Sequence, residues 1–347
     1  MTADSLYLDH AATTPLLPVA REAMLDGFAI WANPSSPHKA GRAARAALED
    51  ARARIAAALG WDGEVILTSG ASEALALALT RCAKPLVAVC AAEHEAVLRY
   101  SAWADRLAVD AHGQVDPAQA ALGGLVAVQQ VNNETGVIQP LNEIDAAVRG
   151  AGGRLLADCA QGAGKLPLPD ADLIAISAHK FGGPVGIGAL LVRGFAMLWP
   201  DGGQERGYRG GTENLPGVLG MAAALEQGAD WLAEAARLRQ RLEHGIVAGG
   251  GSVIAGASPR IASIGAYRMP GVSSAAQLIR FDAQNIAVSA GSACSSGSLR
   301  TSHVLEAMGV AGAGEVIRVS IGRETTAAEI DRFLEAWRAM AAQARAL

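Results

Sequence analysis

Six short apolar runs, at 65–67, 86–90, 125–131, 155–158, 173–177 and 187–192, are separated by stretches with helical character, such as the Ala-rich ones at 72–81 and 141–151. That alternation predicts βαβ units and a mostly parallel sheet covered by helices on both faces, an α/β fold. The stretch 40–59 reads as one long helix closed by Gly60, a residue suited to the left-handed position past a helix end. From Asn214 to about His244 the pattern is helical again, with Pro216 near its start, and reads as a long connection between domains. The remainder mixes short strand-like pieces (262–266, 286–289, 316–320) with helices, and Thr326-Ala327-Ala328-Glu329 is a capping box that opens the last one. This second pattern predicts a smaller α+β domain.

The chain has 347 residues, of which 51% are hydrophobic and 18% charged, enough for two cores. A net charge of -5 argues against binding nucleic acid or an anionic membrane surface. No apolar run reaches membrane-spanning length, and the first residues carry no secretory pattern, so a cytoplasmic location is expected. The four cysteines, Cys82, Cys90, Cys159 and Cys294, are widely spaced with no CxxC pair, which argues against a structural metal site.

Chemistry-bearing residues gather where the apolar runs end. Lys180 leaves the run 173–176 in the string Ser177-Ala178-His179-Lys180-Phe181-Gly182-Gly183-Pro184. Such a lysine can form a Schiff base with an aldehyde, or can simply pair with a buried carboxylate. Asp158 and Gln161 follow the run 155–157; an amine and a carboxylate on neighbouring strand ends are what pyridoxal phosphate needs. Ser69-Gly70-Ala71-Ser72-Glu73 follows another run and opens a helix, giving either a phosphate cradle or a plain helix cap. His94 could stack on a flat ring and move protons, or be a satisfied polar residue. Asn133, in Asn132-Asn133-Glu134-Thr135-Gly136, could contact such a ligand or only shape a turn. Ligands of open α/β sheets bind outside the carboxyl ends of the strands, so the convergence matters more than any one residue.

Three further segments stand apart. Arg209-Gly210-Gly211-Thr212 suits phosphate binding or a turn, and Asn33-Pro34-Ser35-Ser36-Pro37 is a loop of turn formers. Gly291-Ser292-Ala293-Cys294-Ser295-Ser296-Gly297 surrounds a cysteine with small residues, a composition that suits an exposed loop and marks Cys294 as a candidate nucleophile or sulfur carrier. Cys82, Cys90 and Cys159 read as core.

Taken in order, these motifs resemble those of the cysteine desulfurases, pyridoxal-phosphate enzymes of the class V aminotransferase superfamily. The resemblance runs from Tyr7-Leu8-Asp9-His10-Ala11-Ala12-Thr13-Thr14-Pro15 to Ile317-Arg318-Val319-Ser320-Ile321-Gly322-Arg323. Its Gly-Ser-Ala-Cys-Ser-Ser string is similar to the branch with a long cysteine loop, which serves iron–sulfur cluster and thionucleoside pathways. The resemblance implies the fold type I architecture of pyridoxal-phosphate enzymes: a large domain (14–235) on a seven-stranded sheet and a small one (1–13 with 236–347). It implies that Lys180 is the Schiff-base lysine, that Asp158 pairs with the pyridine nitrogen, and that Gln161 and Asn133 lie near the phenolic oxygen. It further implies that His94 stacks on the ring as acid and base, and that Ala71, Ser72, Ser177 and His179 hold the phosphate. Thr212 would reach the phosphate of a second subunit, making the enzyme a homodimer. Asn33, Asn133 and Arg318 would hold the substrate, L-cysteine, and Cys294 would take its sulfur for an acceptor protein. A selenocysteine lyase or another sulfur-amino-acid lyase of the same superfamily and, more distantly, a non-catalytic sulfur or iron–sulfur scaffold are the alternatives. Ala76 stands where many members have Asn, and the chain ends soon after its last helix.

Overall fold

The computed structural model describes residues 5–291 and 301–345. In chain order the first half contains β1 (Leu6–Tyr7), α1 (Pro18–Ile30), α2 (Lys39–Leu59), β2 (Glu64–Thr68), α3 (Ala71–Arg81), β3 (Leu86–Cys90), α4 (Glu95–Leu98), β4 (Asp105–Leu107), β5 (Leu125–Gln129), α5 (Leu141–Gly150), β6 (Arg154–Asp158) and β7 (Leu173–Ser177). There follow β8 (Gly188–Val192), α6 (Leu215–Leu225), α7 (Leu232–Ala248), β9 (Ser252–Val253), β10 (Ile264–Arg268), α8 (Ser274–Asp282), β11 (Ile286–Ala287), α9 (His303–Ala307), β12 (Val316–Ser320) and α10 (Ala327–Arg345).

Seven strands form one sheet in the order β4-β3-β5-β6-β7-β8-β2. The neighbours from β4 to β7 pair in parallel; β8 runs antiparallel to both β7 and β2. Alternation of side chains explains the burial. In β5, Val126 and Val128 face a core shared with α2, α5 and α6, while Leu125 and Ala127 face a core shared with α3 and α4. Both faces being covered, every residue of β5, β7 and β8 is buried, and the strands read as apolar runs rather than alternating, with polar Gln129 and Ser177 only at the carboxyl ends of β5 and β7.

A second core lies in the remaining elements. Leu6 and Leu8 of the N-terminal arm meet Leu238 and Leu242 of α7, Tyr267 of β10, Phe281 of α8 and Phe333 and Trp337 of α10. A three-stranded antiparallel sheet, β12-β10-β9, supports it, and β1 pairs in parallel with β11.

The α/β expectation is met, with corrections of detail. The run 187–192 is an antiparallel member of the sheet. β4 has no apolar run to announce it, because Asp105 and Arg106 are exposed. The stretch from Asn214 is two helices rather than one, broken near Gly228, whose φ of +64° favours glycine. α6 belongs to the first core and α7 to the second.

Candidate active site

Because β2, β3, β5, β6 and β7 run the same way, their carboxyl ends share one edge of the sheet. A cavity of about 390 Å³ opens there, lined among others by Ser72, His94, Asn133, Asp158, His179 and Lys180. Ala71, Gln161, Ser177 and Arg318 also line it.

Two glycines place the cradle at one end. Gly70 sits at φ +151°, ψ 177°, a conformation open essentially to glycine alone, and turns the chain from β2 into α3. Gly188 of β8 lies beneath it: a Cβ there would stand 2.4 Å from the Ile176 carbonyl oxygen and 2.7 Å from Gly70 Cα. The first turn of α3 therefore meets the cavity with its backbone, where N–H groups and the helix dipole favour an anion.

Lys180 ends a single turn of 3-10 helix that follows β7. Its Nζ donates to the carbonyl oxygens of Ala11 (2.8 Å) and Ala12 (2.9 Å), so the N-terminal arm holds it in place. Gln161 Nε2 donates to the same Ala11 oxygen at 2.8 Å, while Gln161 Oε1 is buried without a hydrogen bond. Asp158 Oδ1 accepts from the Ala160 N–H at 2.9 Å. His94 Nδ1 accepts from the Ala96 N–H at 3.1 Å, which leaves the proton of a neutral ring on Nε2. His179 Nδ1 pairs with Thr13 Oγ1 at 3.1 Å. Arg318 donates to Asp9 Oδ1 (2.7 Å) and to the Asn133 carbonyl oxygen (2.9 Å), and its buried Nε has no hydrogen bond.

The electrostatics separate the roles these groups can play. Burial pushes the Asp158 carboxyl above the usual carboxylate range, opposed by the Ala160 N–H and by charge on His94 and Lys180. Burial lowers His94, and Lys180 adds to that lowering. His179 falls to about 4, first by burial and then by the charges of Lys180 and Lys165, so it is neutral near pH 7. Glu93, fully buried nearby, is raised well above its ordinary value by burial and by the charge of Asp158.

Asn33, expected at the substrate, and Thr212, expected at a second subunit's cofactor, both lie away from this cavity. Asn33 is exposed between α1 and α2, where its Oδ1 accepts from the Ser35 N–H at 2.8 Å. Thr212 is exposed beside Gly211 and does not line the cavity. Cys294 lies outside the described residues. Cys90 and Cys159 are buried with thiols raised by that burial, and Cys82 is half-buried. Two neighbours were missed: Glu73, which accepts from Arg209 Nε at 3.0 Å, and Lys165, a buried lysine near Lys180.

The family profile of the class-V aminotransferases matches residues 6–333. This chain belongs to that family. It is 36% identical to a cysteine desulfurase of Gluconacetobacter diazotrophicus, covering 96% of this chain and 92% of the relative. It is 37% identical to one of Cereibacter sphaeroides, covering 99% and 97%. With "Cysteine desulfurase IscS" of Anaeromyxobacter sp. it shares 38% identity over 94% and 90%. Among solved structures, a NifS-like protein from Rickettsia africae superposes with a TM-score of 0.89 at 29% identity, covering 97% of this chain and 99% of that one. "SspA in complex with cysteine" gives 0.77 at 29% identity, covering 93% and 100%. In this chain the polar cluster lies at the strand ends, where the cavity opens.

Proposed function

We propose that this chain is a cysteine desulfurase that holds pyridoxal 5′-phosphate on Lys180 and passes the sulfur of L-cysteine to Cys294. One observation carries the reading: an amine, a carboxylate and a helix N-terminus, from three separate strand ends, converge on one cavity. That set fits the cofactor's aldehyde, its ring nitrogen and its phosphate. The unpartnered Gln161 Oε1, buried beside Lys180, is a further polar atom available to a ligand.

When bound, the cofactor supplies an aldehyde that condenses with amines and a ring that accepts the electron pair left as a Cα proton departs. Lys180 would attach it through Nζ, and the same amine, when free, would carry the Cα proton. Asp158 would offer a carboxylate to the ring nitrogen. Ala71 and Ser72, with Ser177 and His179, would hold the phosphate. His94 would lie against the ring, and Gln161 and Asn133 would stand near its phenolic oxygen. Arg318 grips the substrate carboxylate. The net change breaks the C–S bond of cysteine and forms an S–S bond on Cys294; the displaced thiol proton ends on the methyl group of alanine. The deeply buried thiols of Cys90 and Cys159 are poor nucleophiles, which supports Cys294 as acceptor.

The exposed apolar side chains of Leu25, Phe28 and Trp31, on and just after α1, support a homodimer, in which Thr212 would serve the partner's site. A sulfur-carrier or iron–sulfur scaffold protein would then receive the persulfide. The test is peptide mass spectrometry after brief exposure to L-cysteine. One added sulfur is expected on the peptide containing Cys294, and Cys294→Ser should yield almost no alanine. Added sulfur on Cys82, Cys90 or Cys159, or full alanine production by the Ser variant, would overturn the assignment.

A further inference from the structure

Lys180 and Ala11, which line the main cavity, also line a second hollow of about 30 Å³, room for one or two waters. Lys165, from the connection between β6 and β7, lines it together with Lys180. Lys165 is only 8% exposed, and among the described residues its side chain has no hydrogen bond or ion pair. The other ionisable lining groups are His10 of the N-terminal arm and Arg323, just past β12. Among the described residues, no Asp or Glu lines the hollow. Glu329 of α10 acts on His10 from outside the hollow, and Asp158 and His94 act on Lys180 from the cavity that they line with it. Two further polar atoms at the hollow, His10 Nδ1 and Ser263 Oγ, are buried without partners.

From this geometry we infer that Lys165 is a positioning residue for Lys180: a buried second amine that shares protons with it and keeps a larger fraction of Lys180 unprotonated at neutral pH. Two ammonium groups on one small hollow repel, so each weakens the other's hold on its proton. A charge kept on Lys165 therefore favours the unprotonated, nucleophilic amine of Lys180. The acidity of the group agrees: burial and then the charge of Lys180 bring Lys165 to about 7, and Lys165 in turn helps burial bring His10 to about 4. An apolar residue in its place would remove that repulsion while the charge of Asp158 stays, which favours the protonated amine.

The inference rests on Lys180 being the aldehyde-binding lysine, and the experiment separates the two. Full-length protein is freed of cofactor and mixed with pyridoxal 5′-phosphate across pH 6–10. Adduct formation is followed by absorbance, trapped with borohydride and mapped. If the adduct is not on Lys180, the functional reading itself fails. With the adduct on Lys180, Lys165→Met should slow capture at pH 7 several-fold and move the midpoint of the rate profile to higher pH. Lys165→Arg keeps the positive charge and should stay near wild type. A wild-type pH profile in Lys165→Met would overturn the inference. So would equal slowing at every pH in both variants, which marks a packing role. If the Met variant does not fold, Lys165→Gln gives the same neutral test.

Discussion

Burial holds the Lys165 ammonium at about 7, whereas an exposed lysine titrates near 10.5. Between these values the unfolded chain binds more protons than the folded one, so stability rises with pH across that window. Lys165→Met should therefore stabilise the protein by up to about 5 kcal/mol at pH 6 and by much less at pH 10. Urea unfolding at the two pH values checks this; an equal gain at both would mean that Lys165 bears no such charge penalty. Arg318 gives a second test. Its guanidinium is 3% exposed and already bonded to Asp9 and Asn133, so it is rigidly aimed. Arg318→Ala should weaken L-cysteine binding by roughly 2–5 kcal/mol, seen as a raised KM. Unchanged KM and turnover would remove it from the substrate site. The residues that converge here were legible because each directly follows an apolar run. Lys165 was not: its burial depends on His10 and Arg323, which are more than 150 positions away in each direction.

At the level of elements, the seating of α3 on β8 sets the shape of the cradle. Gly188→Ala would drive a Cβ into Ile176 and Gly70, and so displace the first turn of α3. The expected result is a loss of at least about tenfold in cofactor affinity, the scale of one displaced charge-assisted contact. Titrating cofactor-free protein with pyridoxal 5′-phosphate measures it, and unchanged affinity would show that α3 is not the phosphate cradle. The sheet was legible because strands buried on both faces leave continuous apolar runs. β4 escaped notice because an edge strand can expose Asp105 and Arg106. α6 and α7 merged in the sequence because Gly228 is a lone interruption in a pattern that stays helical on either side.

For the whole molecule, two cores meet at the site: the arm carrying Ala11 and Ala12 comes from the side of Leu6 and Leu8, and Lys180 from the large sheet. We propose that they are the lobes 14–235 and 1–13 with 236–347. Trp337 fills the second core and is fully buried. Trp337→Ala should cost about 3–5 kcal/mol by denaturant unfolding. A loss below about 1 kcal/mol would mean that this core contributes little to global stability. The central claim, that Lys180 carries an aldehyde cofactor used to desulfurate cysteine, is tested most directly by one measurement on purified protein. Borohydride reduction followed by peptide mapping should place the reduced cofactor on Lys180, and the unreduced protein should convert L-cysteine to alanine, an activity lost in Lys180→Ala. A cofactor on another lysine, or alanine formation that survives Lys180→Ala, would contradict the account.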